Sequence, residues 1–302
     1  MKRLFFNAII AVSALLAGCR PAPLTNGRET VYVSIMPLRT LVNDILGDDF
    51  DIEVLVPSGA SPETFEPSAR QYVALNNASL IFNVGLIDFE TSLLKKVENH
   101  TKIIDLSRGI VPIAGSCAHG HKHDKADGDL HPHGADLPGN SGLQGVDPHV
   151  WTSPKALQRM AANAYDAIRT RWPDSAKYEA NYRRLQRELQ ALDIRTGARI
   201  DSSGVKSFIV YHPALTYYAR DYGLEQIAIE ADGKEPSARR LAHIIRRARK
   251  EKIRKILYQS QFPASAVEII AGDIDGKGIP FDPLREDPIA GIDEITRIIT
   301  EQ

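Results

Sequence analysis

Short apolar runs alternate with segments that suit helices over the first third of the chain. The runs are rich in β-branched and aromatic residues, as strands are. The predicted strands are 30–35, 51–56, 80–84 and 101–106. The predicted helices between them are 38–46, 68–76 and 89–97. This alternation predicts a parallel sheet covered by helices.

The second half of the chain repeats the same alternation. Its predicted strands are 207–211, 226–230, 255–258 and 279–281. Its predicted helices are 215–222, the basic-faced 237–250, and 264–271. The repeat predicts a second parallel α/β layer of similar construction.

A long polar segment connects the two halves. After a predicted helix at 154–171, residues 174–200 contain no Gly or Pro until Gly197, and their apolar positions have roughly helical spacing. These positions are Tyr178, Tyr182, Leu185, Leu189, Leu192 and Ile194. At 1.5 Å per residue, a helix of some 25 residues is about 37 Å long. The sequence therefore predicts a helical spine that joins two lobes.

The chain begins with a targeting segment. Lys2 and Arg3 precede an apolar stretch at 4–16, which is shorter than the roughly 20 residues that a membrane-spanning helix needs. The stretch ends in LAGC at 16–19, which resembles the lipobox of bacterial lipoproteins. That resemblance implies cleavage of residues 1–18 and a lipid on Cys19, with 19–29 as a tether. An ordinary secretory signal with a chance cysteine is the alternative.

This prediction places the protein outside the cytoplasm, anchored by lipid to a bacterial membrane, in the periplasm or at the cell surface. Cys117 is then the remaining thiol of the two cysteines, so no intrachain disulfide is expected. It either joins a loosely held metal or is a plain surface thiol. Basic and acidic residues are nearly balanced, 37 against 38, so no nucleic-acid partner is expected. We expect a monomer.

A histidine-rich tract lies in the middle of the chain, at 115–140. It holds five of the nine histidines: His119, His121, His123, His131 and His133. Gly, Asp and Lys make up much of the rest, so the tract is predicted to be a solvated, mobile loop. Neutral imidazole is the commonest protein ligand for metals such as zinc. We expect auxiliary, weak metal binding here; incidental linker composition is the alternative.

Four metal-capable residues each follow an apolar strand or lie at the mouth of a loop. They are Glu63, His149, His212 and Asp282. Ligands of open parallel sheets sit beyond the carboxyl ends of the strands. Two imidazoles and two carboxylates would neutralise one divalent cation, and Zn²⁺ favours four such ligands. Taken singly, a histidine after a strand is more often a cap or a core partner, and an Asp before Pro is usually a turn residue.

Several short motifs occur together and in order. They are DPHVWTSP at 147–154, YHPA at 211–214, GKEPS at 233–237 and DPL at 282–284. Together with the histidine-rich tract, they resemble the metal-binding solute-binding proteins of ABC transporters for zinc and manganese. The resemblance covers essentially all of residues 30–302.

The resemblance implies an α/β fold of two Rossmann-like lobes, each with a four-stranded parallel sheet, joined by a long rigid helix. The expected boundaries are 30–172 for the N-terminal lobe, 173–200 for the linking helix and 201–302 for the C-terminal lobe. The metal is expected in the cleft between the lobes. Carried over to this chain, His149 and His212 are ligands, and Asp282 is a ligand or near-ligand from the C-terminal lobe.

Glu63 departs from the family pattern. The family usually has His there, in a run resembling His-x-x-Glu-Pro, and this chain has Glu63 with Glu66 and Pro67 matching the rest. Either Glu63 is the ligand, or water or a loop histidine takes its place. A carboxylate in place of an imidazole would weaken the preference for zinc, because oxygen ligands also suit manganese.

The expected function is high-affinity zinc binding and delivery of the ion to an ABC transporter permease, without enzymatic activity. A manganese carrier is the alternative within the family: Glu63 and Asp282 favour it, whereas the histidine-rich tract disfavours it. A secreted zinc hydrolase would need an open coordination position and a general base. Neither the HExxH nor the GxSxG motif occurs in the sequence. A surface adhesin is a further alternative.

Overall fold

The structure is a computed structural model that describes residues 27–115, 145–230, 236–262 and 264–301. Two four-stranded sheets, one from each half of the chain, form its framework. The predicted signal segment, Cys19, Cys117 and all five histidines of the tract at 115–140 lie outside the described residues. Among the residues that are described, no helix combines the length and hydropathy needed to cross a membrane.

The first sheet has the strand order β2-β1-β3-β4, and all its pairings are parallel. Its strands are β1 (Glu29–Val33), β2 (Phe50–Val54), β3 (Leu80–Asn83) and β4 (Ile103–Asp105). The connecting helices are α1 (Met36–Leu46), α2 (Ala69–Asn77) and α3 (Asp88–Leu94). Every residue of the inner strand β3 is buried, as expected for a strand covered on both faces.

The second sheet repeats this order as β6-β5-β7-β8, again with parallel pairings. Its strands are β5 (Ser207–Val210), β6 (Glu225–Ala228), β7 (Lys255–Tyr258) and β8 (Lys277–Pro280). The helices of this half are α6 (Thr216–Asp221), α7 (Ala238–Glu251), α8 (Ala264–Asp273) and α9 (Pro288–Thr300). The predicted pair of parallel α/β layers is confirmed; α9 is an addition to the predicted elements.

Two helices connect the sheets, α4 (Pro154–Arg171) and the 28-residue α5 (Ala176–Ser203). The Ser175 hydroxyl accepts a hydrogen bond from Tyr178 N at the start of α5, and Gly204 ends the helix with φ of 70°. The long helix predicted at 174–200 is therefore confirmed. Helix α5 packs against α4, against α1 of the first half and against α9 of the second.

One detail of the α5 prediction is wrong. The sequence pattern places Ile194 on the apolar face, but its side chain is 65% exposed. The buried positions recur every three or four residues: Leu185, Leu189, Leu192, Thr196 and Ile200. Ile194 lies two positions after Leu192, about 200° round the helix, and so faces away from the core.

The apolar core continues from one half of the molecule to the other. A single cluster includes Val33 of β1, Leu157 of α4, Leu189 of α5 and Val210 of β5. The last helix, α9, contributes Ile295 to the same cluster. Because the carboxyl ends of the strands meet near this continuous core, the loops that follow β2, β5, β6, β7 and β8 can reach one another.

The lobe boundaries proposed at residues 172 and 200 stay predictions.

Candidate metal centre

Three of the four predicted ligands come together. One ligand atom from each of Glu63, His149 and His212 lies within 4.8 Å of the other two. Glu63 Oε1 lies 3.0 Å from His212 Nε2 and 3.7 Å from His149 Nε2. The side chains are 15%, 6% and 3% exposed for Glu63, His149 and His212. The three atoms thus form a small, nearly buried group that draws on both halves of the chain.

His149 is held by Asp147, which lies two residues before it. Asp147 Oδ1 accepts from the backbone N of His149 at 2.9 Å and lies 2.8 Å from ring Nδ1. Burial raises the pKa of Asp147, but the charge and hydrogen bonds of His149, with a further bond from Thr216, lower it more, so the net pKa is below its ordinary value. An ionised carboxylate only accepts hydrogen bonds, so Nδ1 carries a proton, and Nε2 is the nitrogen that faces the group and would bind a metal when the ring is neutral.

His212 lies two residues after the end of β5 and has an equivalent arrangement. Its Nδ1 lies 3.2 Å from Glu230 Oε2, at the carboxyl end of the neighbouring strand β6. The ring also stacks on Phe262, with centroids 5.0 Å apart and planes at 14°. The imidazoles of His149 and His212 meet edge to face, with centroids 5.2 Å apart. Both rings therefore turn Nε2 towards Glu63 and Nδ1 towards a carboxylate.

Glu63 lies in the loop between β2 and α2. Its backbone N donates to Ser61 Oγ at 3.3 Å, and Thr64 N donates to Ser61 O. These short-range bonds shape a turn that directs the carboxylate towards the two imidazoles. Pro62, Ile87 and Trp151 contribute apolar walls to the surrounding cavity.

The cavity around the three residues favours a cation. Three carboxylates lie within 3.7 Å of the nitrogens of the two imidazoles. They belong to Glu63, Asp147 and Glu230. Among the described residues that line the cavity there is no Lys or Arg. A divalent cation would offset this excess of negative charge, which is otherwise costly in a buried site.

The structure does not bring Asp282 into this group. Its side chain is exposed, and Oδ1 accepts from Leu284 N at 2.8 Å. It lines a neighbouring cavity that shares Gln261 and Leu284 with the first. The next residue, Pro283, bonds to the His149 turn, because Trp151 Nε1 donates to its carbonyl at 2.8 Å. The role of Asp282 as a ligand stays a prediction.

Sequence reasoning missed the two carboxylates that orient the histidines. Asp147 lies inside the motif at 147–154 but was not assigned a role. Glu230 satisfies the same criterion as the predicted ligands, since it is a polar residue at the end of an apolar strand. It is only 6% exposed, and that burial could not be known before the sheet order was known.

Comparison with known proteins identifies the family of the chain. A family model described as zinc-uptake complex component A, periplasmic (ZnuA), matches residues 31–297. The chain belongs to the ZnuA family. It is 26% identical over 281 residues to the high-affinity zinc uptake system protein ZnuA of Bacillus subtilis (strain 168), covering 89% of this chain and 84% of that protein.

Some relatives of this ZnuA-family chain are considerably longer than the chain itself. The zinc-binding protein AdcA of Streptococcus pyogenes serotype M3 is 27% identical over 266 residues, which are 86% of this chain and 51% of AdcA. The chain thus spans about half the length of the AdcA proteins it matches. A crystal structure of ZnuA superposes with a TM-score of 0.77 at 30% identity, over 91% of this chain and 98% of the other.

Proposed function

We propose that this chain is the extracytoplasmic zinc-binding component of a metal-uptake system and delivers the ion to an ABC transporter permease. The observation that carries the proposal is the group of Glu63 Oε1, His149 Nε2 and His212 Nε2, whose ligand atoms lie within 4.8 Å of one another. Each imidazole is also oriented by a buried carboxylate, which is the usual arrangement around histidines that bind metals.

The proposed ligands are Glu63, His149 and His212, with Asp282 as the predicted fourth. Zn²⁺ in proteins is almost always four-coordinate in closed sites, so three protein atoms leave one position to fill. For Asp282 to fill it, the loop after β8 would have to give up the bond from Leu284 N and turn its carboxylate inward. Water in that position is the alternative arrangement.

Two imidazole nitrogens support zinc as the cargo. The names of the ZnuA and AdcA relatives also refer to zinc. The carboxylate of Glu63 supports the second candidate, manganese, because hard oxygen ligands suit that ion. We propose zinc rather than manganese as the cargo, because hydrogen bonds hold both histidine rings in place and so define the positions of their nitrogens better than that of the Glu63 carboxylate.

The proposal also covers the location and the oligomeric state of the protein. We propose that the chain is exported, that Cys19 carries the lipid that anchors it to a bacterial membrane, and that it acts as a monomer. No catalytic step is proposed, since the family is one of transport components.

The proposal is tested by chelator competition on the purified protein with zinc and with manganese. The variants are His149→Ala and His212→Ala, and the control is His243→Ala, which removes an exposed imidazole on α7. Each ligand variant should bind zinc at least about 10-fold more weakly, because even changes to groups that only hydrogen-bond to a metal ligand have effects of that size. Wild-type affinity in both ligand variants would exclude the proposed site, and tighter binding of manganese than of zinc would favour the second candidate.

A further inference from the structure

We infer that Tyr217 and Thr152 are positioning residues that hold His149 and His212 together as one preassembled pair, and that the loop carrying Glu63 is the part that moves when the ion enters or leaves. The inference rests on the proposed function, because it concerns how the proposed ligands are held. Its basis is a difference in backbone anchoring: the backbone of the His149 turn is bonded to the second half of the chain, whereas short-range bonds shape the backbone of the Glu63 loop, whose carboxylate is what reaches the two imidazoles.

Tyr217 connects α6 to the backbone beside His149. Its hydroxyl donates to the carbonyl of Asp147 at 2.8 Å and accepts from Ile113 N at 3.2 Å. Tyr217 is fully buried. Because Asp147 Oδ1 in turn holds both the backbone N and the ring Nδ1 of His149, Tyr217 acts on the imidazole through Asp147.

Thr152 spans the turns of the two histidines. Its hydroxyl lies 2.8 Å from the carbonyl of His149 and 3.1 Å from the carbonyl of Ala214. Ala214 N in turn donates to the carbonyl of His212 at 2.8 Å, so one hydroxyl joins the backbones of both ligand turns. Thr152 is 2% exposed, and bonds in such a dry environment are costly to break.

Two further bonds strengthen this connection. Trp151 Nε1 donates to the carbonyl of Pro283 at 2.8 Å, and Ser153 Oγ bonds to the carboxylate of Asp221. The segment 147–153 therefore contacts three separate parts of the second half, namely α6, the turn after β5 and the loop after β8. These bonds hold the backbone around His149 close to that of His212, and Asp147 N also donates to the carbonyl of Ile113, in the first half of the chain, at 2.9 Å.

The Glu63 loop is anchored differently. Short-range bonds from backbone N–H groups shape residues 57–66: Ala60 N donates to Pro57 O, Thr64 N to Ser61 O and Glu63 N to Ser61 Oγ. Two of its side chains, Ala60 and Phe65, pack against the apolar core, and the Phe65 ring meets that of Phe89 edge to face at 5.1 Å. Segments whose backbone is held by short-range bonds open at low free energy, so this loop is the part best suited to move.

The first experiment compares two neighbouring tyrosines in the full-length protein. Tyr217→Phe removes the hydroxyl next to Asp147, and Tyr218→Phe removes one that lies 2.9 Å from Thr296 Oγ1. Both tyrosines lie on α6 and both are fully buried, so the two changes are matched in type and depth. Zinc affinity is measured by chelator competition, and thermal unfolding in excess chelator is measured in parallel.

Tyr217→Phe should weaken zinc binding about 10-fold, as is typical when a group that supports a ligand is lost. Tyr218→Phe should destabilise the fold to a similar degree but keep wild-type zinc affinity. Equal zinc affinities in the two variants would overturn the inference. A wild-type protein that binds no zinc through His149 and His212 would instead overturn the proposed function, so the two failures are distinguishable.

The second experiment is hydrogen–deuterium exchange on the full-length protein with and without zinc. Peptides that cover 58–66 should gain protection when zinc binds. Peptides that cover 147–153 and 212–217 should be protected to nearly the same degree in both states. Larger changes in the histidine segments than in the Glu63 loop would show that the pair is not preassembled.

Discussion

His212 Nδ1 lies 3.2 Å from Glu230 Oε2, while Nε2 of the same ring lies 3.0 Å from Glu63 Oε1. The imidazole thus lies between two carboxylates that come from opposite halves of the chain. A ring nitrogen that donates to a carboxylate leaves the other nitrogen free to bind a metal and makes it more basic. Glu230 therefore determines which nitrogen of His212 faces the proposed ion.

The first prediction is that Glu230→Gln weakens zinc binding. The amide keeps nearly the same shape but loses the negative charge that orients and strengthens the imidazole. We expect a loss of about 10-fold to 100-fold in affinity, the range found when such supporting groups are changed. Chelator competition with zinc measures it.

Glu225→Gln is the matched control for Glu230. Glu225 is at the start of the same strand, with a side chain that is 59% exposed and paired with Arg247. Removing this charge should leave zinc affinity unchanged. If Glu230→Gln binds zinc as tightly as Glu225→Gln does, the carboxylate has no role in orienting His212.

The second prediction concerns Glu63 and the choice of metal. Glu63→Gln should weaken binding strongly, because a neutral amide is a poor replacement for a carboxylate ligand. Glu63→His should retain zinc binding and increase the preference for zinc over manganese, since imidazole suits zinc better. Equilibrium competition between the two ions measures both effects.

Glu66→Gln serves as the control for Glu63, since Glu66 is an exposed carboxylate in the same loop. It should bind both ions as the wild type does. Wild-type zinc affinity in Glu63→Gln would instead assign the third position to water or to a histidine of the tract at 115–140.

The third prediction is that Asp282→Asn lowers zinc affinity at least about 10-fold, because Asp282 is the predicted fourth ligand of a four-coordinate ion. Asp282→Asn keeps a side-chain oxygen that can still accept from Leu284 N, so the turn should be preserved. Asp275→Asn is the control, with a carboxylate that is 91% exposed and that precedes β8, whereas Asp282 follows it. Equal affinities in the two variants would leave Asp282 as a turn residue only.

Much of the fold could be predicted because it depends on local patterns. Strands such as 207–211 are short apolar runs with flanking turn residues, and helices alternate with them, so both sheets follow from general rules. The predicted ligands followed from the rule that polar residues collect beyond the carboxyl ends of parallel strands. Glu63 and His212 come from the loops after β2 and β5 and obey that rule, and His149, which lies just before α4, joins them.

The remaining features depend on contacts between distant segments. Glu230 can hold His212 only because β6 pairs with β5, and Thr152 reaches Ala214 only because α4 packs beside α6. No local pattern encodes those distances. Asp282 shows the opposite case: it follows a strand as expected, but its loop turns the carboxylate towards Leu284 N.

The fourth prediction concerns the histidine-rich tract, whose five histidines lie outside the described residues. Deleting 118–139 should leave the tight zinc site intact and remove additional weak zinc binding. A loop that must become ordered to bind metal loses about 1–2 kcal/mol of conformational entropy per residue, which makes it a weak site. Isothermal titration of both proteins with zinc counts the equivalents. Loss of the tight site on deletion would mean that the tract supplies a primary ligand.

The fifth prediction is a pH effect on stability at the start of α5. Asp49 Oδ1 accepts from Lys177 Nζ at 2.8 Å, and Oδ2 accepts from the Tyr178 hydroxyl at 3.2 Å. The hydrogen bond from Lys177 lowers the pKa of Asp49 most; burial opposes it, and the Tyr178 bond lowers the pKa further. The folded protein therefore holds this proton less tightly than the unfolded chain does.

It follows that the Asp49 interaction stabilises the fold above the ordinary carboxyl pKa of about 3.9, and that this contribution is lost as pH falls through the lower folded value. Asp49→Asn should reduce stability at pH 7 by no more than about 1 kcal/mol, since the pair is largely exposed and screened by solvent. It should make little difference near pH 2. Urea unfolding of the metal-free protein at both pH values measures this, with Asp48→Asn as control because Asp48 makes no ion pair within the described chain. An equal loss at the two pH values would show that the charge of Asp49 does not contribute.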